Sequence, residues 1–507
     1  MTDARDMPLP KPRHDVHLVT RDGGRSIIHD PATGRRIGLD AVGTRVFRSL
    51  NSARSVTALV ANIGLGADVA AVLQRLRFLA QQALLEGPRS DRLRRAYGSS
   101  QVTTAVRAPS ELPLGTEPRL KHACQACGSC CSATDVGPLP KLVVQRVLAH
   151  DWSDLTGDAP AESLFREVEI GGQKAYLAAM KDDQCVFLDE DRLCRIHGRL
   201  GVDKKPVPCR QFPYVFTRVG DRIDVSLQME CRAFDRAQSA AVPTSESEVD
   251  IRALLSIGAP VHSVPAVLTF ADGIVLGRSD YDAIESGAIA AIRAVDLALG
   301  PAAVLRAFGS IMSAAVEGVR DPIRAAEPFI EDGVRAPGSA ADRAAFIRDF
   351  SVFLAEGSTV ADQKELPHLG RRFQALGEAV TLLPLAFDRN AIRPEQPAVV
   401  AGLLADVLVA GLFGKEPIRR GVSAELGLAL LGLKGALVIS GAAARARGAC
   451  RRHMVAQDVV DSTVIASKML RERATVDFLA GVSELVIRLF VFGFDALTEA
   501  STPSTTT

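Results

Sequence analysis

The sequence predicts an α+β fold that is mostly α-helical. Short β-like runs alternate with turn sequences near the N-terminus, a cluster of cysteines follows among further short strands, and apolar residues then recur at spacings of three and four over most of the second half. We therefore expect a small winged-helix N-terminal domain, a cysteine-rich metal-binding domain with short strands and hairpins, and a large all-α C-terminal domain. The expected bounds are 14–88, 121–235 and 245–495, with a linker at 89–120 and a disordered tail at 496–507.

The overall composition is that of a globular protein, because 47% of the 507 residues are hydrophobic and 23% are charged. The formal net charge is only +1, so the whole-chain charge does not favour a nucleic-acid partner. The first 95 residues differ, since they carry sixteen Lys and Arg against nine Asp and Glu, an excess of +7. This local excess favours an acidic partner for the N-terminal domain.

The expected compartment depends on the apolar segments of the chain. The start "MTDARDMPLPKPRHD" has no apolar stretch of the kind found in signal peptides. The most apolar late segments contain Asp406, Lys434 and Arg488 in mid-span, which predicts buried helices rather than membrane spans. We expect a cytoplasmic protein with no membrane partner, in which thiols stay reduced and clustered cysteines favour metal binding over disulfides.

The N-terminal domain is predicted to contain three strands followed by three helices. The runs "DVHLVT", "RSIIHD" and "RRIGLD" are separated by the turn sequences "RDGG" and "PATG". Asp40 and Asp68 suit the N-caps of the first and third helices, and Gly87 suits the C-cap of the third.

This order of elements, with "IIHDPATGRRIGLDAVGTRVFRSL", "SVTALVANI" and "LRFLAQQALLEG", resembles the PqqD-like family, also called the RiPP recognition element. The resemblance implies that a leader peptide adds a strand to the edge of the small sheet, so that the partner is a peptide or protein substrate. Two alternatives remain open, namely a packing or dimerisation module and a DNA-binding winged helix.

The cysteines indicate a metal site, since eight of the nine lie between 124 and 231. The run "CQACGSCC" repeats the x-x-Cys step of zinc knuckles and of ferredoxin cluster loops. Adjacent side chains tend to diverge, so we expect the double cysteine to serve two metal sites, or to bind with one thiol and pack with the other. The candidate metal ligands are Cys124, Cys127, Cys130, Cys131, Cys185, Cys194, Cys209 and Cys231.

Other residues near the cluster are assigned lesser roles. His197, three residues after Cys194, has ligand spacing if the stretch is helical, and His122 is a possible extra ligand. Trp152 is expected to pack in a core, and Cys450 to be a packed small side chain.

A hairpin is predicted to turn at 220–221, with alternate apolar residues on one face. The acidic residues near the cluster are interpreted as turn residues, with a catalytic or metal-supporting role as the alternative, namely Asp182, Asp183, Asp189, Glu190 and Asp191.

The segments "CQACGSCC", "CVFLDEDRLCRIHGRLG" and "KPVPCRQFPYVF" resemble the CxxCxxCC cysteine-cluster family of zinc- or iron-chelating domains over about 121–235. The resemblance implies that the first seven candidate cysteines are the ligands, whereas Cys231 is added here because of its proximity. The arginine that usually precedes the last family cysteine is replaced in "KKPVPC". The expected cofactor is an iron–sulfur cluster, with zinc as the alternative.

The stretches "VSAELGLALLGLKGALVISGAAARARG" and "VVDSTVIASKMLRERATVDFL" are similar in style to flagellin lysine-N-methylase, a branch of the cysteine-cluster family. That resemblance implies methyl transfer from S-adenosylmethionine to lysine, and the sequence assigns no catalytic or donor-binding residue. Two other functions remain open: a non-catalytic metal-binding or metal-delivery protein, and a metal-responsive winged-helix regulator that binds DNA.

Overall fold

A computed structural model of the chain confirms the predicted fold class, with 59% helix and 16% strand. The predicted tail at 496–507 lies outside the described residues. The structure describes residues 9–64, 68–100, 107–122, 124, 127–132, 136–170, 173–232, 242–271, 273–326, 337–364, 366–383, 393–419 and 421–494.

The N-terminal strands and helices follow the order predicted from the sequence. The strands form one antiparallel sheet in the order β1-β2-β3. Asp40 and Asp68 cap α1 and α3 as predicted, because each side chain accepts a hydrogen bond from a backbone amide of the first turn. The elements are β1 (His17–Thr20), β2 (Ser26–Asp30), β3 (Arg35–Leu39), α1 (Ala41–Ser49), α2 (Val56–Ile63) and α3 (Val69–Gln81).

Two predictions about the end of this unit are wrong. Helix α3 ends at Gln81, six residues before Gly87, and Gly87 instead precedes a new helix, α4 (Pro88–Ser100). The segment predicted as a linker therefore begins with a 13-residue helix. The helix forms because Pro88 suits a first helical position and because Leu93 and Ala96 are buried. The helix was not predicted because its apolar face is narrow and the rest of the segment is polar.

The cysteine region consists of short elements, as predicted. They are β4 (Leu114–Thr116), β5 (Lys121–His122), α5 (Lys141–Leu148), α6 (Ser153–Thr156), β6 (Phe165–Ile170), β7 (Gln173–Ala178), β8 (Met180–Lys181), β9 (Gln184–Cys185), α7 (Arg195–Leu200), α8 (Val207–Gln211), β10 (Tyr214–Val219), β11 (Arg222–Leu227) and β12 (Val242–Pro243).

The hairpin β10–β11 turns at 220–221 as predicted, but both of its faces are buried. Asp224 and Ser226, which alternate with the predicted apolar face, are 0% and 1% exposed. Ser226 Oγ donates to the Ala410 carbonyl at 2.9 Å, and Lys415 Nζ donates to Asp224 at 3.0 Å. The second face is therefore covered by distant C-terminal residues, which a local alternation pattern cannot reveal.

This hairpin is the centre of a four-stranded mixed sheet that extends beyond the cysteine region. The order is β13-β10-β11-β4, and both outer strands run parallel to their neighbours. Strand β4 comes from the predicted linker, and β13 (Val261–Ser263) comes from the predicted helical domain. The sheet therefore joins segments on both sides of the predicted domain boundaries.

The C-terminal region is dominated by helices, but it is not all-α as predicted. A hairpin, β14 (Val267–Ala271) and β15 (Ile274–Gly277), packs against α4. Strands β16 (Arg393–Pro394) and β17 (His453–Met454) form a second small pair. The helices are α9 (Glu248–Ser256), α10 (Arg278–Arg293), α11 (Pro301–Ala326), α12 (Ala340–Gln363), α13 (Pro367–Thr381), α14 (Pro397–Phe413), α15 (Glu416–Arg419), α16 (Ala424–Gly448), α17 (Ala456–Met469), α18 (Arg473–Gly481) and α19 (Ser483–Phe490).

Helix α16 lies at the centre of the main hydrophobic core and is buried on all sides along most of its length. Two helices in the described part of the chain, Pro301–Ala325 and Ala424–Gly448, are long and apolar enough to cross a membrane. The most apolar 18-residue windows of these helices are 44% and 94% buried inside the protein. Lys434 and Asp406 are buried with ion-pair partners, as expected for core helices rather than lipid-facing ones.

Candidate metal centre

The adjacent cysteines lie on a single tight turn. Residues Ser129–Cys131 form one turn of 3-10 helix, preceded by Gly128 with a φ of 67°. The Cys130 and Cys131 Sγ atoms are 3.8 Å apart, and both residues line the same cavity. The expected divergence of the two side chains is therefore wrong, because the turn curls them to one side.

Three further elements supply thiols to the same place. Cys185 ends β9, Cys194 immediately precedes α7, and Cys209 lies in α8. Ser132 pairs with Gln184, which holds the turn of adjacent cysteines beside β9.

Several of these thiols are close enough to shift one another's pKa values. Burial, with a smaller contribution from neighbouring thiols, raises the pKa of Cys185 to about 11 and that of Cys209 to about 12. The hydrogen bond between the adjacent thiols lowers the pKa of Cys130 to about 6 and raises the pKa of Cys131. We call the set the thiol cluster: Cys130, Cys131, Cys185, Cys194 and Cys209.

The thiol cluster borders a cavity of about 460 Å³, a size typical of small-molecule sites. Cys130, Cys131 and Cys209 contribute to one wall of the cavity. Apolar residues, among them Leu177, Phe212 and Leu369, line another part. The cavity therefore offers thiols, apolar surface and a charged wall.

The charged wall comes from α13 and from the end of α17, and the sequence did not predict it. Lys468 Nζ donates to the Ser132 carbonyl at 3.0 Å, beside the adjacent cysteines. Arg471 pairs with Glu230 at 2.9 Å. Burial, followed by the nearby Arg372, lowers the pKa of Lys468 to about 8. The available sequence signal was the polar run "SKMLRER" at the end of an otherwise apolar helix.

A histidine and a carboxylate meet at the same wall. His368 lines the cavity, and its Nδ1 atom lies 3.5 Å from an Asp183 oxygen. Asp183 also forms an ion pair with Arg371. Asp182 and Asp183 have φ values of 50° and 61° in the turn between β8 and β9, so their predicted role as turn residues is confirmed.

The donor set fits a thiophilic metal, because the clustered groups are soft thiols of the kind that bind zinc and iron. Within the described ranges, no three His, Cys, Asp or Glu side chains are placed to hold one ion together. Members of the thiol cluster are thus near one another without forming a closed coordination shell. Binding of one ion by three of these thiols would require a rearrangement of the side chains.

Three candidate ligands stand apart from this assignment. Cys124 is exposed, and Cys127 and Cys231 are half-buried. Their role as ligands stays a prediction.

The structure also bears on the predictions for the other residues near the cysteine cluster and for Cys450. His122 packs edge-on against Tyr214 with ring centroids 5.6 Å apart, and His197 is exposed on α7. Trp152 is 2% exposed and packs against Phe187, which confirms its packing role. Cys450 is exposed at a turn with a φ of 53°, so its prediction as a packed residue is wrong.

Comparison with known families supports the metal assignment for this region. The model of the CxxCxxCC family, described as "Putative zinc- or iron-chelating domain", matches residues 123–237. Neither the curated proteins nor the solved structures yielded a match to the chain. The cysteine region is therefore similar to a class of zinc- or iron-chelating domains, and this confirms the resemblance predicted at 121–235.

Proposed function

We propose that this protein is a metal-dependent enzyme that modifies a peptide or protein substrate, with methyl transfer from S-adenosylmethionine to lysine as the reaction. The thiol cluster would hold the metal, as an iron–sulfur cluster or as zinc. A bound metal of either kind supplies Lewis acidity, and an iron–sulfur cluster also supplies electrons.

One observation carries the enzymatic proposal: the thiols open onto a cavity of substrate size. Structural zinc sites are closed by four protein ligands, whereas catalytic sites keep a position open. Here Cys130, Cys131 and Cys209 border about 460 Å³ of space that also contacts His368 and Lys468. A site that only stored metal would not need a second wall of polar side chains.

The chain's own residues suggest what happens in that cavity. The apolar side chains of Leu177, Phe212 and Leu369 would exclude water from part of a bound substrate. His368, whose Nδ1 lies near Asp183, would accept a proton from a substrate amine. Proton removal matters because only a neutral lysine amine is nucleophilic.

The N-terminal sheet is the proposed site of peptide capture. Among the described residues, strand β1 pairs with β2 alone in the order β1-β2-β3, so its other edge is open to an added strand. Its residues His17–Thr20 are mostly exposed. An added peptide strand would gain backbone hydrogen bonds there, and the basic excess of the first 95 residues favours an acidic peptide.

The test is a methyl-transfer assay with the anaerobically purified chain, labelled S-adenosylmethionine and peptides encoded beside its gene. We expect the label on a substrate lysine and a loss of at least about tenfold in Cys209→Ser, with Cys450→Ser unchanged. If the protein holds metal but neither binds peptide nor transfers label, the non-catalytic metal-delivery alternative replaces this proposal.

A further inference from the structure

The turn of adjacent cysteines is held on both sides by cationic side chains. Arg192 Nη1 donates to the Cys127 carbonyl at 3.3 Å, and Lys468 Nζ donates to the Ser132 carbonyl at 3.0 Å. Cys127 and Ser132 flank the turn, which spans Ser129–Cys131. The backbone that carries the adjacent thiols is therefore anchored by side chains from outside the loop.

The two anchors come from different parts of the fold. Arg192 is exposed and belongs to the cysteine region itself. Lys468 comes from the last turn of α17, and it lies 336 positions further along the chain than its acceptor. Met469 and Leu470, which follow it, are fully buried in the main hydrophobic core. The core therefore holds the backbone at Lys468 in a fixed place beside the loop.

A fixed loop backbone matters because, in the described ranges, the thiols do not form a closed coordination shell. Binding of one ion must reorder thiol side chains, and all freedom that the loop loses on binding lowers the affinity. The bond from Lys468 to Ser132 removes part of this cost in advance, since it holds the residue next to Cys131. A charged donor also makes a stronger hydrogen bond than a neutral one.

The positive charge of Lys468 acts in the same direction. Lys468, Cys130 and Cys131 line one cavity. Three or more thiolates outweigh the charge of a divalent ion, so an ammonium group beside them stabilises a loaded site. The hydrogen bond and the charge of this lysine therefore both favour metal binding.

We propose that Lys468 is a positioning residue of the metal site: its ammonium group fixes the turn of adjacent cysteines through the Ser132 carbonyl and stabilises the metal-bound thiolates. Metal binding by the cysteine region then depends on a C-terminal helix that lies outside residues 123–237, which the family model matches. The inference rests on the proposed metal site, but not on methyl transfer or peptide capture.

The experiment measures the Zn²⁺ affinity of the full chain at pH 7 by competition with a chromophoric chelator. At this pH Lys468 is mostly protonated, because its pKa is about 8. We expect Lys468→Met to weaken Zn²⁺ binding by about tenfold or more, as is typical for residues that orient metal ligands. Lys468→Arg keeps the charge and N–H donors and should restore most of the affinity. Lys181→Met, which changes an exposed lysine of the cysteine region, should match the wild type.

The possible results distinguish failure of this inference from failure of the metal site. A wild-type chain without measurable Zn²⁺ affinity would overturn the thiol cluster as a zinc site, and this inference with it. Equal affinities of the wild type and Lys468→Met would overturn this inference alone. Equal losses in Lys468→Met and Lys468→Arg would also overturn it, because they would show that Lys468 acts through packing. Lys468→Gln, a second neutral variant, replaces Lys468→Met if that variant does not fold.

Discussion

The thiol cluster is assembled from separate elements, so single cysteines can be replaced without breaking the fold around them. The adjacent pair lies on a turn, whereas Cys209 lies in the short helix α8. A serine side chain is close in size to cysteine but is a poor ligand for soft metals. Each position can therefore be tested for metal binding by itself.

We predict that Cys130→Ser and Cys209→Ser each weaken metal binding by at least about tenfold, because each removes one thiolate from a shared site. The measurement is competition with a chromophoric chelator. Cys450→Ser is the matched control, since Cys450 is exposed and lies outside the cysteine region. Unchanged metal affinity in both cluster variants would exclude the thiol cluster as the site.

A second residue-scale feature is a buried ionic network beneath the hairpin β10–β11. Lys415 is fully buried and donates to Asp224 at 3.0 Å and to Glu285 at 2.7 Å. Burial raises the pKa of Glu285 to about 7, although Lys415 opposes the shift. The folded protein therefore holds this proton at pH values where the unfolded chain has released it.

This network predicts a pH dependence of stability. Between the ordinary glutamate pKa of 4.5 and about 7, the folded state binds more protons than the unfolded state, so the free energy of unfolding falls as pH rises and then levels off. The steepest slope from this group is about 1.4 kcal/mol per pH unit. Urea midpoints measured from pH 5 to 7 should decline less in Glu285→Gln than in the wild type. Glu248→Gln, an exposed carboxyl on α9, should leave the slope unchanged, and an unaltered slope in Glu285→Gln would refute the assignment.

At the scale of elements, the N-terminal unit is connected to the C-terminal region by the packing of α4 against the hairpin β14–β15. The turn of this hairpin contains Gly273, whose φ is 65°. A Cβ at Gly273 would lie 2.6 Å from the Gln81 carbonyl oxygen at the end of α3. The close approach of backbone to backbone thus requires glycine at this point.

We predict that Gly273→Ala destabilises the protein more than Gly258→Ala. Both glycines have a positive φ, which costs an alanine about 1–2 kcal/mol, but a Cβ at Gly258 meets nothing within 4 Å. The collision at Gly273 should add roughly 1–3 kcal/mol, because a backbone atom must move. Thermal unfolding of the two variants measures the difference, and equal losses would contradict the tight docking of α3 on the hairpin.

The success of sequence reasoning also differs from element to element. The strands β1–β3 and the caps at Asp40 and Asp68 were predictable because turn and cap chemistry is local. The burial of the second face of β11 was not predictable, because the residues that pack on it are almost 200 positions away in the sequence. Helix α4 was missed for a related reason, since its partner, β15, is equally remote in sequence.

For the molecule as a whole, the sequence predicted the thiols of the candidate site but not the rest of the cavity. Cysteine spacing identified the thiols, and the family comparison agrees with that interpretation. The wall formed by His368, Arg372, Lys468 and Arg471 was not predicted, because two helices distant in sequence bring these residues together only in the folded chain. Spacing identifies ligands on one loop, but a cavity between remote elements leaves no local pattern.

The site lies where the cysteine region meets the C-terminal helices, with the N-terminal sheet attached to the same body through α4. Peptide capture, metal binding and a substrate-sized cavity would then be carried by one connected structure. The proposed enzymatic activity depends on metal binding by the thiol cluster.

The most direct test is metal and acid-labile sulfide analysis of the full chain after anaerobic purification, together with its visible spectrum. We predict a stoichiometric metal, with iron, sulfide and a broad visible absorption if the site holds an iron–sulfur cluster, or colourless protein with zinc. A chain that contains neither iron nor zinc, and takes up neither on anaerobic reconstitution, would contradict it.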